Sequence, residues 1–292
     1  MKSSIAPSEL IINPDGSVFH LHLRPGQLAD KVILVGDPGR VSLVASHFDE
    51  IECEVENREF KAITGVYHQK RITVQSTGIG CDNIDIVMNE LDALANIDFN
   101  TRTVKDQLCS LDIVRIGTCG GLQPFTPVGT YICSVKSIGF DGLLNFYAHR
   151  DEVCDLAFEK AFIDHMGWSG NTCIAHPYVV NADANLLDRI NQGEMVRGVT
   201  IATGGFYGPQ GRSLRMPLAD PRQNEKIQQF TYQDYKITNF EMESSAVAGL
   251  SSLLGHHAMT VCTVIANRYA KEANTDYHHT IDDLILLVLE RI

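Results

Sequence analysis

One pattern limits the fold more than any other: from Val32 almost to the C-terminus, short apolar runs of strand length alternate with longer amphipathic stretches. Strands are expected at 32–35, 71–76, 111–116, 130–135, 199–202, 236–240 and 258–266, and helices at 82–95, 151–165, 183–191, 222–235, 241–254 and 279–291. Recurring strand–helix units of this kind specify an α/β architecture. At roughly 150 residues per domain, 292 residues would admit two domains. The strands keep the same spacing with no shift in composition, and no biased linker or internal repeat interrupts them, so one large domain over 18–292 is expected, preceded by an extension at 1–17.

The longest stretch free of Asp, Glu, Lys and Arg, Ser244 to Asn267, is long enough to span a membrane. Gly255, His256 and His257 break it in the middle, so it reads as a helix ending at a glycine and then a buried strand. No apolar run follows Lys2 before Ser8, so no secretory signal is visible and cytoplasmic residence is the default expectation. The eight cysteines are widely spaced, with no CxxC pair; they read as reduced thiols rather than a disulfide framework or a zinc site. The adjacent pairs His256/His257 and His278/His279 cannot both face a metal from one helix side. A net charge of −12 argues against nucleic acid or an anionic membrane as partner, since both need a wide basic surface. It leaves room for a small anion held by a few arginines.

Four segments carry candidate chemistry. Gly36-Asp37-Pro38-Gly39-Arg40 joins a buried strand to a helix, with Asp37 as N-cap and Pro38 in the first turn. Backbone N–H groups, glycines and Arg40 there suit a phosphate, although a tight turn with a solvated arginine explains the same residues. Neither GxGxxG nor a Walker A lysine is present, which disfavours dinucleotide and P-loop chemistry. Arg115 to Gly121 (RIGTCGG) puts an arginine, the Thr118 hydroxyl and glycine backbone at a strand's carboxyl end, where open α/β sheets bind ligands; Arg115 paired to a neighbouring carboxylate is the alternative. Glu241, Met242 and Glu243 begin a helix, where carboxylates are favoured by the helix dipole or can accept hydrogen bonds from sugar hydroxyls. Phe206, Gln210 and Arg212 combine an aromatic shelf, an amide and a guanidinium in a glycine-punctuated loop, suited to a planar heterocycle or to an ordinary surface loop.

In this order, and together with VFHLHLRPG, ILVGDPGRV, NREF, STGIG, the FDG at Phe140, FEMESSAVAGL and VIANR, these segments resemble the nucleoside phosphorylase-I family, and within it the uridine phosphorylases. The resemblance runs from about Val18 to the C-terminus. It implies a single-domain three-layer α/β fold with a mixed, barrel-like central sheet flanked by helices. It also implies phosphorolysis of a nucleoside to a free base and ribose 1-phosphate, with inorganic phosphate as co-substrate and no metal or organic cofactor. By position, Gly36, Arg40, Arg115 and Thr118 match phosphate ligands. Arg58 of NREF matches an arginine donated to phosphate across a dimer interface, and His20 a histidine crossing the same interface to the 5′-hydroxyl. Glu241, Met242 and Glu243 match the ribose-binding run; Phe206, Gln210 and Arg212 match the uracil pocket, with Arg115, Glu243 and Arg212 expected to carry catalysis. A homodimer, or a hexamer built from dimers, is the implied assembly.

One absence bears on the base. Purine-specific members of the family place an aspartate before the segment's Asn-Arg pair to protonate purine N7, whereas this chain has Ala266 followed by Asn267. Uracil can leave as a delocalised anion, for which Gln210 and Arg212 supply hydrogen bonds, so uridine or another pyrimidine nucleoside is the expected substrate. The chain departs from the bacterial pattern at Cys81 and Asp82, which replace small residues after STGIG, and in a longer connection at 100–109.

Overall fold

The computed structural model describes residues 3–171, 173–274, 276 and 278–292; Met1 and Lys2, the start of the expected extension, lie outside it. The chain begins with β1 (Lys31–Val35) and, through the Asp37 cap and Pro38, α1 (Pro38–Ala45). A hairpin of β2 (Glu50–Asn57) and β3 (Phe60–Tyr67) leads to β4 (Lys70–Ser76), α2 (Cys81–Asn96), the short pair β5 (Ile97–Asp98) and β6 (Thr103–Val104), β7 (Asp112–Gly121) and β8 (Tyr131–Gly139). Then come α3 (Arg150–Val153), α4 (Leu156–Met166), β9 (Tyr178–Asn181), α5 (Ala184–Ile190), β10 (Val196–Ala202), α6 (Gln223–Gln229) and β11 (Thr231–Tyr232). The chain closes with β12 (Tyr235–Glu241), α7 (Ser244–Leu254), β13 (His257–Asn267), β14 (Glu272–Ala273) and α8 (His278–Arg291).

Five strands close on themselves. β7 pairs β13, β13 pairs β8, β8 pairs β10, β10 pairs β12, and β12 returns to β7 through Asn239 opposite Gly121 and Phe240 opposite Gly120. The return needs a residue without a side chain, since a Cβ on Gly121 would lie 2.6 Å from the Thr126 carbonyl oxygen. From β7 the sheet continues outward as β1, β4, β3 and β2. Helices cover both faces. α2 and α7 pack with Val32, Leu34 and Ile113 on one side, and α1, α5 and α8 with Ile33, Val35 and Val114 on the other. Because β1 and β13 are buried on both faces, they read as near-continuous apolar runs rather than alternating ones. This is the expected mixed, barrel-like three-layer fold.

Several expected elements are redrawn. The 222–235 helix stops at Gln229, and Thr231–Tyr232 turns back antiparallel onto Tyr235–Lys236 through Gln233 at φ 53°. Thr231 and Tyr232, β-branched and aromatic, favour this edge pairing with β12 over a continued helix. The 151–165 helix is split: Cys154 bridges to Val180, and Asp155 caps a second helix by accepting from the Phe158 N–H at 3.1 Å. α7 starts at Ser244, with Glu241 still in the strand, and ends at Gly255 at φ 81°, so the uncharged stretch divides into helix and strand as its glycine implied. Among the described residues no helix is long and apolar enough to cross a membrane. The β2–β3 hairpin was not expected, although alternating Glu50, Glu52, Glu54 and Glu56 is the period-2 pattern of an edge strand. Residues 4–10 lie against the β5–β6 turn, where the Arg102 guanidinium donates to the carbonyls of Ile5, Ala6 and Leu10.

Candidate active site

Because β12 runs antiparallel to β7, the carboxyl ends of two oppositely directed sets of strands meet where they cross. A cavity of about 560 Å³ opens there. β1 delivers Gly36 to Arg40, β7 delivers Arg115 to Gly120, β12 delivers Phe240 to Glu243, and the segment after β10 delivers Phe206, Gln210 and Arg212. β13 contributes two consecutive residues, Ile265 and Ala266, both lining the cavity. A register shift between Val264 and Ala266 makes this possible, since a bulge re-aims side chains that would otherwise alternate.

At one end lie Gly36, Arg40 and Thr118, with the first turn of α1 between them. Asp37 accepts from the Gly39 N–H at 2.9 Å, which fixes the turn, and one Arg40 amino group lies 3.4 Å from the Ile116 carbonyl. Arg115, 4% exposed, also lines the cavity. Its guanidinium contacts Glu241 at 3.1 Å and Glu243, and Gly117 makes room for it: a Cβ there would lie 2.4 Å from Nη1. The carboxylate-paired alternative for Arg115 is therefore the arrangement found. Burial works against its charge, but Glu243 and Glu241 outweigh burial and hold its pKa above the ordinary arginine value. Its Nε is buried with no hydrogen-bond partner among the described residues.

The two carboxylates of the 241–243 run have different surroundings. Glu241 accepts from the N–H groups of Glu243 and Ser244 and from the Ser244 hydroxyl at 2.6 Å, so it caps α7 from the end of β12. Burial raises its pKa above the ordinary carboxylate value, with Arg115 pulling the other way. Glu243 makes no cap; it accepts from the Gly80 N–H at 2.7 Å and from Arg115, and it faces the cavity beside Met242. The dipole reading thus fits Glu241, and Glu243 is the carboxylate with spare acceptor capacity toward a ligand.

At the other end, the Arg212 guanidinium lies 3.6 Å over the Phe206 ring and donates to the Phe206 carbonyl at 2.6 Å and to the Gln210 side-chain oxygen. Gln210 is 3% exposed and its amide donates to Thr203 at 3.0 Å, which sets which amide end faces Arg212. Burial and the like charge of Arg268 lower the Arg212 pKa to about 10. Asn267 cannot stand in for an acid beside Ala266. Its amide donates to the Gln123 and Thr126 carbonyls, tying the end of β13 to the barrel.

Two expected residues lie outside this cavity. His20 is held by Glu90 of α2 at 2.6 Å, and Arg58 sits exposed at the tip of the β2–β3 hairpin with φ 56°. They share one region of the surface, since Asn57 donates to the His20 carbonyl at 2.9 Å. Arg268, the last residue of VIANR, neighbours Arg212 and lies 5.8 Å over Phe240; a second cation directly after the Ala-Asn pair is its only signal in the sequence. Ile79, 71% exposed, also lines the cavity, as the middle residue of the glycine turn before α2.

The chain is similar to the uridine phosphorylase of Thermococcus kodakarensis, with 29% identity over 88% of this chain and 80% of that one. It is also similar to the DeoD-type purine nucleoside phosphorylase of Bacillus velezensis, with 26% identity over 94% and 98% of the two chains. Among solved structures, a Trypanosoma brucei nucleoside phosphorylase described as showing uridine phosphorylase activity matches with a TM-score of 0.84 and 27% identity, over 97% of this chain and 98% of that one. With a barrel closed through Gly121 and residues 30–288 matched by the family model, the chain belongs to the phosphorylase superfamily.

Proposed function

We propose that this protein cleaves uridine by phosphorolysis, releasing uracil and ribose 1-phosphate. The observation that carries the reading is the composition of the base end of the cavity: a buried Gln210 amide and the Arg212 guanidinium stacked on Phe206, facing a wall with Ala266 in place of an acid. Phosphate binds at Gly36, Arg40 and Thr118 and draws on Arg115; Glu243 accepts from the ribose hydroxyls with Met242 against the sugar. Phosphate attacks C1′ as the bond to the base lengthens. Positive charge develops on the ribose beside the phosphate dianion, while Gln210 and Arg212 stabilise the negative charge gathering on uracil. Orientation of C1′ toward the nucleophile by Glu243 supplies the rest of the catalysis. The unpartnered Nε of buried Arg115 supports an anionic ligand beside it.

His20 and Arg58, together on a surface outside the chain's own cavity, serve a neighbouring subunit, so the active unit is a homodimer. The chemistry takes inorganic phosphate as co-substrate and no metal or organic cofactor. The DeoD-type relatives raise a second reading, a purine nucleoside as substrate. Ala266 and the committed Asn267 amide weigh against it, because a purine leaving group would have no proton donor at that edge.

Base release from uridine and inosine, followed with and without phosphate, tests the proposal. Uridine should be cleaved only when phosphate is present, and inosine should be a poor substrate. Equal uridine cleavage in phosphate-free buffer would make water the nucleophile, and efficient inosine cleavage would overturn the base assignment.

A further inference from the structure

The turn that carries Met242 and Glu243 is held from beneath by groups that the reaction does not use. Gly80 donates its N–H to Glu243, and the next residue, Cys81, donates its thiol to the Met242 carbonyl at 3.2 Å. The same sulfur lies 3.7 Å from the Ser245 hydroxyl. Ser245 in turn donates to Asp141 at 3.1 Å, and the Tyr178 hydroxyl lies 2.9 Å from Asp141 and 3.0 Å from Ser245. Asp141, the acid of the FDG segment, also accepts from the Leu143 N–H at 2.8 Å. Cys81, Tyr178 and Ser245 are all buried. The start of α2, the segment after β8, the first residue of β9 and the start of α7 thus converge under two residues of the cavity wall.

A buried network whose members are satisfied resists distortion, because any movement strands a polar group in a low-dielectric interior. Burial also pushes the Cys81 thiol pKa well up, so it keeps its proton and remains a donor. Cys81 is one of the positions where this chain departs from the pattern it resembles, which carries a small residue there. A glycine would leave the Met242 carbonyl without this partner.

We propose that Cys81 is a positioning residue for ribose recognition: its hydrogen bond to Met242, backed by Ser245, Asp141 and Tyr178, fixes the turn so that Glu243 meets the ribose hydroxyls in one orientation. The inference rests on the reading of Glu243 as the ribose acceptor. A carboxylate held in one orientation distinguishes a sugar with a full set of hydroxyls from one lacking the 2′-hydroxyl more sharply than a mobile one.

The test is steady-state kinetics of the full chain with uridine, 2′-deoxyuridine and phosphate, for wild type, Cys81→Ala, Cys81→Ser and Tyr178→Phe. Cys81→Ala should raise the KM for uridine about fivefold, the scale of one lost hydrogen bond, with the KM for phosphate within about twofold. The kcat/KM preference for uridine over 2′-deoxyuridine should fall by a similar factor. Cys81→Ser restores a donor and should recover most of the loss, which a purely steric role for sulfur would not produce. An unchanged preference in Cys81→Ala, or equal rises in both KM values, overturns the proposal. Should Cys81→Ala fail to fold, Tyr178→Phe removes only a hydroxyl from the same network, and it must shift the preference in the same direction; no shift there also overturns it. Failure of the underlying substrate reading appears separately, as wild type that does not cleave uridine. The variants are then compared on the ribo and 2′-deoxy pair of whichever base wild type cleaves.

Discussion

Replacing Arg115 with alanine should damage the fold as well as the activity. Arg115, Glu241 and Glu243 are 4%, 4% and 3% exposed, so removing the guanidinium leaves two carboxylates in the interior without their counter-charge. Breaking a buried ion pair from one side destabilises by about 3–5 kcal/mol, a large part of the roughly 5–15 kcal/mol that keeps a typical domain folded. Glu241 retains three donors from Glu243 and Ser244, whereas Glu243 retains the Gly80 N–H, so most of the loss falls on Glu243. With an unfolding entropy of about 2.1 cal/mol/K per residue, a chain of 292 residues has about 0.6 kcal/mol/K, and the expected fall in Tm is about 5–8 °C. The pH dependence has a definite sign. Burial already raises the Glu241 pKa, and without Arg115 only the hydrogen bonds from Glu243 and Ser244 oppose it, so the folded carboxyl binds protons more readily than the unfolded one. The deficit should be smallest below the unfolded-state carboxylate pKa of about 4.3 and grow as pH rises through the folded value. Calorimetry of wild type, Arg115→Ala and the double variant Arg115→Met/Glu243→Gln at pH 5, 7 and 8.5 reads this directly. The double variant should regain most of the Tm while remaining inactive, which separates stability from catalysis. An Arg115→Ala protein that melts within about 2 °C of wild type at pH 8.5, or whose deficit shrinks as pH rises, would refute the reasoning.

Two further outcomes follow from the geometry. Arg212→Lys keeps the charge but loses both the stack on Phe206 and the planar fork reaching Gln210, so kcat/KM for uridine should fall at least about tenfold with the KM for phosphate little changed; a near-normal value would detach Arg212 from the base. Asp155 caps α4 and accepts from Lys136 at 2.7 Å; burial alone would raise its pKa, yet these bonds hold it below the ordinary aspartate value. Its stabilisation is therefore present above the unfolded pKa of about 3.9 and lost as pH falls through the lower folded value, so Asp155→Ala should cost about 1–2 kcal/mol in urea melts at pH 7 and less at pH 3; an equal cost at both would exclude the capping role.

Local chemistry was legible wherever one short segment contains its whole cause. Asp37 and Pro38 start α1, Asp183 caps α5, and Gly255 ends α7, because a cap or a left-handed turn is decided by its own residues and their neighbours. The continuous apolar runs of β1 and β13 announced strands buried on both faces. The expected helix overran a local strand preference at Thr231 and Tyr232, which pair with β12 while Gln223–Gln229 stay helical. The β2–β3 hairpin carries its own legible signal, the alternation of Glu50, Glu52, Glu54 and Glu56.

The candidate site divides along the same line. By itself the chain determined which residue types were available: arginines beside glycine turns, a doubled carboxylate, an amide and guanidinium on an aromatic loop, and an alanine before the Asn267-Arg268 pair. Tertiary structure alone decided that five strands close through Gly120 and Gly121, that a bulge turns Ile265 and Ala266 together into the cavity, and that Arg115 lies between Glu241 and Glu243. It also decided that Glu241 caps a helix while its neighbour two residues on faces the cavity, and that Cys81 lies under Met242. The physical reason is range. Capping, turn formation and alternation act over a few residues, but the charge and orientation of a buried group depend on partners that only a closed sheet brings within hydrogen-bond distance, as Arg115 and Glu243 show across 128 positions of chain.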